Sequence, residues 1–199
     1  MPWPNSRSRK GSSPVEQVLL YILLGVEVVL RVLLEVRERR LTQVRGGVFA
    51  VLRLVPLLND IVPLPESRKA PAASAFVEKH EEGHKSLHHG ILRSVTKIIF
   101  LIVAVWFLAA MLSRFGLTIY ESVLWLHLAA IPLRMIFHLY CWNQEYEADA
   151  YAMKQLGKAK TKEAMRDLVA SEIPYTKLFA VVYREHPTAT LRRNRLFSK

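Results

Sequence analysis

The chain has 199 residues, 51% of them hydrophobic, with a mean hydropathy of +0.15 and a formal net charge of +11. That length suits one domain of ordinary size, but apolar residues gathered in blocks, with the basic residues outside them, exclude an ordinary soluble domain and describe an integral membrane protein. No recognised nucleic-acid motif or stacking array accompanies the charge, so no nucleic acid is expected as a partner, and the single cysteine, Cys141, excludes an intramolecular disulfide.

Residues 1–14 are polar and carry Arg7, Arg9 and Lys10. The apolar segment that follows lacks a small-residue cleavage site, so it is expected to be retained rather than removed as a signal peptide. Within residues 15–36, Glu27, Arg31 and Glu35 form an i, i+4, i+8 ladder of alternating sign that can pair along one helix face. Residues 41–64 contain Arg45, Arg53, Asn59 and Asp60 and are broken by Pro56 and Pro63. Residues 1–64 are thus expected to hold apolar or amphipathic membrane-associated helices. A hairpin of two spans would put Arg37, Arg39, Arg40 and Arg45 on the outside, against the positive-inside tendency. Spanning and interfacial placements of these two segments both stay open.

Residues 65–75, with two prolines and several small residues, read as a linker. After it comes His80-Glu81-Glu82-Gly83-His84, a complete HExxH sequence. On an α-helix, positions i and i+4 share one face, so both imidazoles can address one metal ion. Glu81 then stands beside that ion, placed to take the proton of an attacking water. Two ligands do not complete a catalytic zinc site, and a third must come from elsewhere.

An apolar run at residues 94–112 is long enough to cross a hydrocarbon core of about 30 Å. A break at Ser113-Arg114-Phe115-Gly116 precedes a second long segment, residues 117–142, and the two read as a helical hairpin. His127, Arg134, His138 and Glu145 fall on one face of the second helix. Interhelical hydrogen bonding is the expected role of His127 and Arg134, since polar residues in a span face a bundle interior.

Sixty-one residues after His84, Glu145-Tyr146-Glu147-Ala148-Asp149 offers the missing ligand. Glu145 can complete a His₂Glu set that leaves a fourth position open. Asp149, one turn later, can accept a hydrogen bond from a liganding imidazole and fix its tautomer. Beyond residue 151 the pattern is basic and helical, with Gly157 as a helix stop. Residues 143–199 carry eleven Lys and Arg, whereas the turn of the hairpin carries only Arg114. The site is therefore expected to face the cytoplasm.

These motifs, together with His89-Gly90 after HExxH and with His186-Pro187 followed by Arg192, resemble the membrane metallopeptidases typified by HtpX and the CaaX prenyl proteases. The resemblance spans residues 76–196. It implies one Zn²⁺ per chain held by His80, His84 and Glu145, with Glu81 as general base and Asp149 supporting a histidine ligand. It also implies that His186 helps to stabilise the tetrahedral oxyanion and that Arg192 orients that side of the site. His89 is expected in helix packing or behind a ligand, and His88 in neither place. Glu78, Lys79 and Glu82 are charged where that family is usually apolar, and Arg193 stands where an aliphatic residue usually follows.

The fold expected is all-α, an integral membrane protein with a gluzincin-like core in residues 65–199, interrupted by the hairpin at about 94–142. The function expected is zinc-dependent endoproteolysis of membrane or membrane-proximal proteins, in quality control or regulatory cleavage. The competing reading is a membrane sensor or scaffold that binds zinc without turnover. Protein or peptide substrates and the lipid bilayer are the expected partners.

Overall fold

The computed structural model of the chain describes residues 12–43, 49–62, 64 and 74–198. Most of the linker expected at residues 65–75 lies outside them. Among the described residues the architecture is helical throughout: α1 (Pro14–Thr42), α2 (Phe49–Leu52), a 3₁₀ turn (Leu58–Asp60), α3 (Ala75–Ser86), α4 (His89–Ser113), α5 (Ile119–Leu156), α6 (Lys158–Ser171), α7 (Lys177–Tyr183) and α8 (Ala189–Phe197).

Three of these helices, α1, α4 and α5, are long and apolar enough to cross a membrane. α1 and α5 each begin with a capping box, Ser13/Glu16 and Thr118/Glu121. In each, side chain and backbone satisfy each other's otherwise orphaned groups. Along α4 the large side chains face outward, with Leu101, Ile102 and Trp106 at 62–65% exposure, as in a helix whose solvent is lipid. α5 runs for 38 residues without interruption through Pro132, about 57 Å at 1.5 Å per residue. It is therefore nearly twice as long as the hydrocarbon core is thick, and its second half must project beyond it. Gly157, at φ 83°, ends it.

The N-terminal region resolves into one long helix followed by short turns. After the end of α1, the described part of residues 41–64 holds only α2 and the 3₁₀ turn, neither of which can span. α1 runs parallel to α5. Near its start Ser12 donates to Glu121 at 2.5 Å, midway Glu27 meets His127 at 3.0 Å, and near its end Glu38 accepts from the Thr176 backbone at 2.5 Å. As one crossing, α1 would leave Arg37, Arg39 and Arg40 at the α7 end of the molecule, without the conflict that a two-span hairpin poses; Arg45 lies outside the described residues. The ladder expected within α1 is present in part: Arg31 pairs with Glu27, while Glu35 turns to Arg53 at 3.1 Å.

Beyond the spans, α3, α5, α6 and α8 close around Phe76, Ala152 and Met165, with Leu156, Leu168, Leu196 and Phe197 packed against them. Burying one such side chain contributes about 1.5–3 kcal/mol. This core forms the floor on which the chemistry-bearing residues stand.

Candidate metal centre

α3 carries His80, Glu81 and His84 and lies along the projecting half of α5. Gly83 makes this approach possible. A Cβ there would sit 3.2 Å from the Ala148 Cα and from Tyr151, tighter than ordinary van der Waals contact. The charged Glu82 is used at the same seam, where its carboxylate accepts from Tyr151 at 2.8 Å and from Lys79 at 2.5 Å.

With α3 held this closely, His80, His84 and Glu145 converge. The two Nε2 atoms are 3.1 Å apart, and the Glu145 oxygens lie 3.4 Å from His80 and 3.3 Å from His84. A tetrahedral ion with bonds of about 2.0–2.2 Å has ligand-to-ligand edges of roughly 3.3–3.6 Å. The two distances to Glu145 fall in that range and the 3.1 Å between the imidazoles lies just short of it, so two imidazoles and a carboxylate, nearly removed from water, fit a zinc ion in chemistry and, within about 0.2 Å, in separation.

Each ligand is held from behind. His80 Nδ1 lies 2.9 Å from Asp149 Oδ1, and Asp149 is fully buried. Arg192 grips the same carboxylate with two bonds, Nε at 2.9 Å and Nη2 at 2.5 Å. With Asp149 accepting from Nδ1–H, the His80 Nε2 presents its lone pair to the metal position. Burial disfavours the His80 imidazolium, but the bonds to Asp149 and Glu145 outweigh it and raise its pKa above the ordinary value. The Arg192 guanidinium is likewise disfavoured by burial and more than compensated by Asp149.

His84 is oriented by a longer relay. Its Nδ1 is 2.8 Å from the Nδ1 of His89, whose Nε2 is 3.1 Å from Glu147 Oε2. The carboxylate must accept, so His89 carries its proton on Nε2 and offers Nδ1 as acceptor to His84 Nδ1–H. His84 Nε2 is thereby also left as a lone pair. His89 thus stands behind a ligand. His88, at φ 58°, forms the left-handed corner between α3 and α4 and takes no part in the relay.

Glu145, 1% exposed, accepts at Oε1 from Arg93 at 2.8 Å and lies 3.1 Å from His186 Nδ1. Arg93 also donates to Gln144 at 2.6 Å. Sequence patterns did not identify Arg93; a lone arginine at the mouth of an apolar run reads as a topology marker. The segment bearing His186 is fixed by Trp142, which donates to the Arg184 carbonyl at 3.1 Å. Glu172 adds a second anchor, accepting from Arg184 and from the Ala189 backbone. Thr188 caps α8 and so places Arg192 one turn inside it.

The result is a cavity of about 320 Å³ lined by His80, Glu81, His84, Glu145, His186 and Arg192, with Asp149 behind it. All seven residues singled out from the sequence therefore belong to one cluster. Glu81 is exposed to the cavity, while His186 stands half-exposed at its edge.

Residues 53–198 match the family model described as peptidase family M48. No curated protein and no solved structure gives a significant match.

Proposed function

Because the chain belongs to peptidase family M48, the family of HtpX-like and CaaX-protease zinc metallopeptidases, we propose that it is a membrane-embedded zinc endopeptidase that cleaves membrane or membrane-proximal proteins at the cytoplasmic face. The observation that carries this reading is the convergence of three metal-ligand donors and a free carboxylate, Glu81, on one cavity.

His80, His84 and Glu145 would hold the ion. When bound, zinc acidifies a water and polarises the scissile carbonyl. Glu81 accepts the proton of the attacking water and returns it to the leaving amine, a role that its unpaired exposure to the cavity permits. His186 donates to the oxyanion that develops on the carbonyl. Arg192 holds Asp149, and Asp149 holds the His80 ring, so the ligand geometry is set before substrate arrives. Eleven Lys and Arg in residues 143–199 support a cytoplasmic placement of the site.

The test is proteolysis of casein by detergent-purified, zinc-loaded protein beside Glu81→Gln. Both proteins are expected to bind one zinc, with cleavage by the variant reduced at least about 10²-fold. Equal cleavage by the two would remove Glu81 from the mechanism. Zinc binding without cleavage of casein or of membrane-protein substrates by the wild type would favour the sensor reading.

A further inference from the structure

Residues 49–62 have their polarity turned inside out. Val51 and Ile61 are 59% and 75% exposed, and Val55, Leu57 and Leu58 are exposed with them, whereas Arg53 and Asn59 are buried at 5% and 7%. A segment lying on water shows the reverse, with its charged side chains out and its large apolar ones in. Both ends of the segment are tied to helices that can cross a membrane. Arg53 Nε donates to Glu35 of α1 at 3.1 Å. Glu35 stands where the apolar part of α1 gives way to Arg37, Arg39 and Arg40, all exposed, so it marks the level at which hydrocarbon yields to headgroups. The exposed Leu30, Leu33 and Val36 of α1 lead up to that level. Farther along, Asn59 and Val62 share a cavity wall with Phe100 and Val103 of α4, inside its apolar run.

We infer that residues 49–62 dock into the lipid of the leaflet nearer the metal centre, with Val51, Val55, Leu57 and Ile61 among the acyl chains just below the headgroups. The outward side chains then continue the lipid-facing surface of α1. Arg53 turns inward because lipid offers a guanidinium no partner, and Glu35 receives it there. The backbone decides the depth. α2 is four residues long and the 3₁₀ turn three, and elements this short leave N–H and C=O groups that their own hydrogen bonds do not satisfy. Deep hydrocarbon does not tolerate such groups. At about 5–10 Å into the headgroup and acyl boundary, water and headgroups still reach them.

The inference rests on membrane crossing by α1 and α4 and is independent of the proteolytic reading. Full-length protein carrying one nitroxide, at Val55→Cys or Ile61→Cys, is reconstituted into phosphatidylcholine and phosphatidylglycerol vesicles. Collisions with oxygen, which concentrates in hydrocarbon, are compared with collisions with a water-soluble nickel chelate. Ile102→Cys on the outward face of α4 and Lys162→Cys, exposed on α6, set the lipid and water limits. Cys141 is buried, and labelling of the unsubstituted protein gives the background. The oxygen-to-nickel ratio at residues 55 and 61 is expected to be at least about threefold above that at residue 162, as for side chains held in the interface. Val51→Cys, at a position equally exposed, serves if either variant does not fold. A ratio at residues 55 and 61 no higher than at residue 162 would place the segment in water. Low collision with both reagents would place it under protein, a second copy of the chain included. Either result overturns the inference. A water-like ratio at residue 102 would refute the crossing by α4 first, and the inference with it.

Discussion

Asp149 and His89 act on the two histidine ligands by different means. Asp149 is a buried carboxylate clamped by Arg192, so the His80 tautomer is set by one strong acceptor. His84 depends instead on a neutral ring whose own proton position is dictated by Glu147, half exposed at the far end. His89→Ala breaks that relay and is expected to lower zinc affinity about 10–100-fold. His88→Ala, one residue away at the helix corner, is expected to leave it unchanged; competition with a chromogenic chelator measures both. HExxH and ExxxD are legible in sequence because each lies within one or two helical turns. Arg93 and Glu147 are not, because their roles depend on partners contributed by a different helix, with no periodicity to mark them.

The helices act through how closely they approach. Gly83→Ala gains up to about 1 kcal/mol of helix propensity, yet its methyl meets the α5 backbone at Ala148. α3 must then back away, taking His80 and His84 with it. The expected outcome is unchanged or slightly raised thermal stability with at least a tenfold loss of casein cleavage, because displacement by a fraction of an ångström disturbs the preorganised site. α1 is held by charge instead. Arg31→Ala would leave Glu27 buried without its guanidinium partner and is expected to cost about 3–5 kcal/mol, seen as a lowered unfolding midpoint in detergent. The pairing of Glu27 with Arg31 was legible as an i, i+4 pattern. The redirection of Glu35 to Arg53 and of Glu38 to Thr176 was not, since apolar helices carrying isolated charges do not announce which neighbour receives them.

For the whole molecule, crossings by α1, α4 and α5, the three helices long and apolar enough to span, would put residue 43, the metal centre and the C-terminal helices on one side, with Arg114 on the other. Single cysteines introduced as Gln43→Cys and Ser198→Cys are expected to react with an impermeant maleimide from the same face, and Arg114→Cys from the opposite face. Cys141 is buried and gives a low background. Labelling of residues 43 and 114 from one face would overturn this topology. The hairpin was readable from hydropathy because its helices are continuous and flanked by a bare turn. The short elements described at residues 49–62 were not, because the prolines, arginines and apolar residues there imitate a membrane segment without forming one unbroken helix.

α5 is at once membrane span and carrier of Glu145, with no hinge between the two functions. Glu145 lies three residues past Trp142, where the hydrophobic stretch ends, so the helix is a ruler that sets the reactive centre about 5 Å above that boundary. An extended substrate covers such a height in one or two residues. On the proposed proteolytic reading, the bonds expected within its reach are those of juxtamembrane stalks and short loops, and a soluble domain held away from the surface is expected to stay uncut.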